Sequence, residues 1–185
     1  MKTQARRIVI LLIPIVVLYW HSPVYSVVAP EAEASVGDEN GSLILKIYIT
    51  RAEAAKQFAA ALELPVPEAD PPYQDVRSSH WAKNYIAAVT KSGLFHGYGN
   101  GSFKPEQQLT REEMAKVLVV AYKPGGNDNG HFSDVSSSWA KDYISALAKN
   151  RMIDGYPDST FKPDEPITQA DFSRFLIRAS DIDIR

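Results

Sequence analysis

The stretch Gly97 to Leu118, GYGNGSFKPEQQLTREEMAKVL, decides the fold. It returns 58 positions later as Gly155 to Leu176, GYPDSTFKPDEPITQADFSRFL. It also stands, eroded, 60 positions earlier as Gly37 to Phe58, GDENGSLILKIYITRAEAAKQF. None of the copies needs a gap, and self-similarity at a fixed period marks a repeat architecture.

The second half of each copy has a direct physical meaning. Thr110-Arg111-Glu112-Glu113 sets a threonine three residues before a glutamate and ahead of an apolar run. That is a capping box: the hydroxyl accepts from the N3 amide and the N3 carboxylate reaches back to the threonine amide. Thr50 to Glu53 repeats it, and Thr168 to Asp171 repeats it with a shorter acid and a weaker back-reach. Downstream, Met114, Val117, Leu118 and Ala121 follow helical spacing, as do Phe172, Phe175, Leu176 and Ala179. Ala54, Gln57, Phe58 and Ala61 match, with Gln57 as the break in the stripe.

Working outward, each complete copy is preceded by a second apolar stripe. Trp81, Tyr85, Ile86 and Val89 share one helical face, with Ser78 or Ser79 as the cap and Gly93 as the left-handed end. Trp139, Tyr143, Ile144 and Leu147 repeat the plan, with Asn150 as the left-handed candidate. Each unit is therefore helix, Gly-Tyr loop, helix. The first unit, 35–64, has only the loop and the second helix. Four prolines within Leu64 to Tyr73 make 65–72 a linker. The complete units occupy 73–122 and 131–180, joined by a Gly/Asn loop at 123–130. One helix pair of this size cannot bury enough apolar surface alone, so the units must pack together.

Composition narrows the function classes. With 45% hydrophobic and 23% charged residues the chain is ordinary globular protein, and a net charge of −2 offers no basic field for nucleic acid. The absence of cysteine excludes disulfides and thiolate metal sites. Lys2, Arg6 and Arg7 precede an apolar run from Ile8 to Trp20, the pattern of a secretory signal over 1–34, with cleavage after Ser26 or Ala34. Gly97 to Gly101 follows a helix and is no dinucleotide or phosphate loop. Asn127, Asn129 and Gly130 lack the first and twelfth ligands of a calcium loop. His80 and His131 lack metal-ligand partners, and no nucleophile–base–orienter pattern is present.

Asp-Val, His-Trp-Ala-Lys, Tyr-Ile, Gly-Tyr, Gly-Ser-Phe-Lys-Pro and Leu-Thr-Arg-Glu-Glu, in that order, resemble the S-layer homology repeat. The resemblance covers two full repeats and one truncated at its N-terminus. It implies an all-α, pseudo-threefold bundle, outside the cell, that binds wall polysaccharide, often through a pyruvate ketal on N-acetylmannosamine. It further implies ligand contact by the Thr-Arg-Ala-Glu arginine, which falls on Arg51 and Arg111; Gln169 replaces it in the third copy.

The residues themselves agree in part. A guanidinium beside helix N-terminal amides suits a carboxylate. Gly97-Tyr98 and Gly155-Tyr156 allow close backbone approach and offer flat hydroxyl-bearing rings, against loop packing as the other reading. Trp81 and Trp139 lie on the apolar stripe, which favours core over sugar platform. Lys104 and Lys162 either meet an anionic polymer or are solvated. The expectation is a non-enzymatic, cofactor-free wall-anchoring module at the cell surface, binding an acidic glycan through these ten residues and no nucleic acid. The alternative is a protein–protein or self-assembly module, associating through the incomplete first repeat. The truncation itself implies either that a second chain or the retained apolar leader fills the gap, or that the half unit is loosely docked.

Overall fold

The turn at Thr50, Thr110 and Thr168 starts three equivalent helices and closes the molecule into a ring. A computed structural model describes residues 33–35, 44–126 and 132–182. The secretory-signal pattern of 1–34 thus falls almost wholly outside the described residues, as do most of the Gly37 loop and half of the Gly/Asn loop, 127–130. Five helices are described: Arg51–Ala61 (α1), Lys83–Lys91 (α2), Arg111–Tyr122 (α3), Lys141–Lys149 (α4) and Gln169–Ile182 (α5). The fold is all-α apart from a ribbon of two three-residue strands. Glu33–Ser35 (β1) and Ile44–Lys46 (β2) pair antiparallel, with Glu33 opposite Lys46. None of the described helices is long and apolar enough to cross a membrane.

The capping boxes form at Thr50–Glu53 and Thr110–Glu113, each with both reciprocal bonds. At the third, Thr168 Oγ1 accepts from the Asp171 amide at 3.1 Å, while the Asp171 carboxylate is bonded to arginines. The residues just before these boxes make the central ring. Leu109 donates its amide to Ile49 O (2.9 Å), Ile167 to Leu109 O (2.8 Å) and Ile49 to Ile167 O (3.3 Å). Bridges Thr50–Gln108, Thr110–Pro166 and Tyr48–Thr168 flank it. All three ring residues are fully buried, so each backbone bond is made where water cannot substitute for it. The three copies are thus joined by main chain as well as by side chains.

Around this axis one apolar core runs through all three units. Phe58 of α1 meets Phe95 and Phe172 edge-on, at 5.9 and 5.5 Å between centroids, so the truncated unit contacts both complete ones. Met114, Leu118, Phe172 and Phe175 are buried as the spacing predicts.

Four expectations are corrected. The Trp-bearing helices start at Lys83 and Lys141, after the tryptophans, with Ala82 and Ala140 as unassisted N-caps rather than the serines. Trp81 and Trp139 consequently sit in the preceding turns, 53% and 56% exposed, outside the core. Gly93 is left-handed as expected, but in the second unit Arg151 (φ 56°), not Asn150, takes that conformation; the Asn150 amide bonds Ala146 O and Gly125 O instead. Finally, the half unit is firmly packed: Ala52, Ala54, Ala55 and Phe58 have no exposure. Helix pairs form between consecutive copies, α1 with α2 and α3 with α4, so α1 needs no first helix of its own unit. Among the described residues, the helix left without such a partner is α5, where Ile177 is 60% exposed.

Candidate functional site

The two arginines lie at the seams between copies. Arg51 opens α1 and is 4% exposed. Its Nε donates to Phe103 O (2.9 Å), Nη2 to His96 O (3.1 Å) and Nη1 to Glu113 Oε1 (3.0 Å). Arg111, 2% exposed, repeats this one copy on. Its Nε donates to Phe161 O (2.6 Å), Nη2 to Asp154 O (2.9 Å) and Nη1 to Asp171 Oδ2 (3.3 Å). Each guanidinium therefore pins the Gly-Tyr loop and the capping-box acid of the next copy. Aromatic faces complete the enclosure. Arg51 lies 4.8 Å from the Tyr98 and Phe103 centroids, and Arg111 5.0 and 4.4 Å from Tyr156 and Phe161. Burial pushes the Arg111 guanidinium below its ordinary value, with Tyr156 and Asp171 pulling the other way.

The loops are built for these struts. Asp75 accepts from the Phe103 and Lys104 amides (2.8 and 2.7 Å), and Asp134 from Phe161 and Lys162 (2.8 and 2.7 Å). Those bonds hold Lys104 and Lys162 at φ 57°, a region β-carbon residues rarely adopt. Their ammonium groups lie 4.3 and 4.5 Å from the Tyr98 and Tyr156 centroids. At Gly97 and Gly155 a Cβ would overlap the rings of Tyr73 and Phe132, so the close approach is to the protein's own aromatic side chains. Tyr98 donates its hydroxyl to Glu113 (2.9 Å). Burial raises its pKa, Arg51 opposes that, and Glu113 adds to it.

Where three copies meet, a cavity of about 190 Å³ opens. Arg51, His96, Gly97, Tyr98, Glu113, Lys116, Val117 and Trp139 line it. It thus brings together Arg51, Gly97, Tyr98 and Trp139, while Trp81, Lys104, Gly155, Tyr156 and Lys162 lie outside its lining, and Arg111 belongs to the next seam. Trp139 is held upright by Glu112, which accepts from its Nε1 at 2.5 Å and from Ser138 Oγ at 2.7 Å. Trp81 has no such clamp, because the position matching Glu112 is Ala52; the His80 ring stacks on it at 5.8 Å. Lys116 Nζ lies 5.9 Å from the Trp139 centroid and is in no ion pair among the described residues. His96, Glu113 and Lys116 were missed from the sequence. For Glu113 and Lys116 the signal is the side of α3 that the apolar stripe does not mark; His96 lies in the segment just before the Gly-Tyr loop.

No group of three or more His, Asp or Glu suited to a metal occurs among the described residues.

Comparison with known proteins agrees with this construction. Residues 72–115 and 131–173 match the S-layer homology domain. The surface-layer 125 kDa protein of Lysinibacillus sphaericus is 39% identical over 143 residues, covering 74% of this chain and 12% of that protein. Cell surface glycoprotein 1 of Acetivibrio thermocellus is 37% identical, over 77% of this chain and 7% of that protein. The cellulosome-anchoring protein of the same organism is also 37% identical, over 71% of this chain and 32% of its own length. The chain thus spans less than a third of each of these relatives. The two matched repeats and the similarity to these surface proteins place the chain in the S-layer homology domain family.

Proposed function

We propose that this is a cell-surface anchoring module that holds its protein to the cell wall without catalysis. The S-layer and cellulosome-anchoring relatives support that level of the reading. We propose further that the ligand is an acidic, pyruvylated wall glycan seated in the Tyr98–Trp139 cavity.

One observation carries the choice of site: an exposed tryptophan ring, clamped by Glu112, stands beside Lys116, which has no ion pair among the described residues, at the mouth of a cavity floored by Arg51. A sugar ring stacks on the indole face, as amphipathic aromatics allow. A ketal carboxylate then meets the Lys116 ammonium, a charge-assisted bond stronger than a neutral one. Arg51 contributes through its field, since Nε, Nη1 and Nη2 already have partners within the protein. Tyr98 and the His96–Gly97 backbone shape the floor.

Calorimetry with the methyl glycoside of pyruvyl-ketal N-acetylmannosamine tests this. Lys116→Ala and Trp139→Ala should each weaken binding by about tenfold or more. Removing the pyruvyl group should reproduce the Lys116→Ala loss in the parent protein and add little in the variant. Full affinity in both variants would place the ligand elsewhere.

A further inference from the structure

The seam 58 positions on repeats the cavity's parts but not its charges. Arg51, Tyr98, Phe103 and Glu113 are matched by Arg111, Tyr156, Phe161 and Asp171. His96, Lys116 and Val120, however, become Asp154, Arg174 and Arg178. These three join the seam's acid into an unbroken chain of alternating charge. Arg111 Nη1 is 3.3 Å from Asp171 Oδ2, and Arg174 Nη2 is 2.6 Å from Asp171 Oδ1. Arg174 Nε is 3.6 Å, and Arg178 Nη1 2.6 Å, from Asp154 Oδ2. The first seam's cation, Lys116, shares its cavity with Glu113 but forms no ion pair among the described residues, Glu113 being paired with Arg51 instead. The second seam's cations share a carboxylate that the chain itself carries, two residues before Tyr156.

We infer that the Asp154 carboxylate occupies the second groove as an internal stand-in for an acidic ligand, leaving the first groove as the working site. This rests on the proposed glycan reading. The physical reason is competition. A tethered carboxylate sits at the arginines at an effective concentration of millimolar order or above, and needs no association entropy. It also repels an incoming anion. Asp154 is thus a specificity-determining residue: where the first copy has His96, it converts a potential second site into a closed one. Its backbone carbonyl, not its side chain, receives Arg111, so the side chain can be changed without cutting the strut.

Calorimetry with the same pyruvyl-ketal glycoside, with amide shifts read at Gly97–Tyr98 and Gly155–Tyr156, tests this. The wild-type protein should bind one equivalent and shift only Gly97–Tyr98. Asp154→Asn, isosteric and neutral, should bind a second equivalent and shift Gly155–Tyr156 as well; Asp154→His, the first groove's residue, should do the same. Two equivalents on the wild type, or still one on both variants, would overturn the inference and leave the glycan reading standing. No binding by wild type or variants would remove that reading and the inference with it.

Discussion

Helices α3 and α5 share one sequence plan, yet among the described helices α3 is gripped by α4 and α5, and α5 by α3 alone. On α3, Glu112, Ala115 and Val119 face α4 and its preceding turn, and are buried or half-buried. The matching residues of α5, Ala170, Ser173 and Ile177, are exposed, half-buried and exposed. The difference teaches how the ring is assembled. A capping-box helix packs against the first helix of the next copy, so α1 is held by α2 without calling on its own unit, and α5 has no such partner among the described helices. The composition of α5 follows: where α3 places an acid to hold a tryptophan, α5 has an alanine.

The largest effect that tests this picture is at Phe58. If the half unit is integral, Phe58→Ala empties a site shared with Phe95 and Phe172 and should cost about 3–5 kcal/mol in urea denaturation. A cost below about 1 kcal/mol would mean that α1 is an appendage. Next come the seams. Arg51→Met and Arg111→Met each strip two loop carbonyls and an acid of a buried partner, and should each cost about 3 kcal/mol. Gln169→Ala, at the matching exposed position, should cost under about 0.5 kcal/mol. Equal effects at all three positions would dissolve the distinction between strut and surface. The helix faces themselves differ by less. Val119→Ser should cost about 1–2 kcal/mol through lost apolar burial, and Ile177→Ser about 0.5 kcal/mol or less. Reversal of that order would show α5 to be covered in solution, and light scattering would show whether a second copy covers it.

The smallest effect is at Tyr98. Tyr98 has its folded-state pKa raised, by burial first, with Arg51 opposing. Its contribution to stability is therefore complete below the ordinary tyrosine value near 10 and is lost as pH rises through the higher folded value. Ultraviolet titration should show one tyrosinate forming late, absent in Tyr98→Phe. The stability of Tyr98→Phe should fall less steeply than that of the parent above pH ~10.

Much of this was legible along the chain. The repeat, the first two capping boxes, the stripes of the capping-box helices and the left-handed Gly93 are local properties, set by backbone hydrogen-bond geometry and helical period, and the structure keeps them. Arg51 and Arg111 stood out through the family resemblance, which marks them as ligand contacts and not as struts. Their partners did not. His96, Phe103 and Glu113 lie 45, 52 and 62 residues from Arg51, and nothing in the local pattern says that a seam brings them together. The tryptophans show the same limit from the other side. Their spacing from Tyr85 and Tyr143 reads as one helical face, but the helices begin two residues later, and a residue in the turn before a helix does not share its phase. Sequence alone determined what each copy is, since caps and periodicity are settled within a dozen residues. Only the tertiary structure decided which copy grips which, because the ring bonds Ile49, Leu109 and Ile167 main chain to main chain, and backbone amides carry no side-chain signature of their partner.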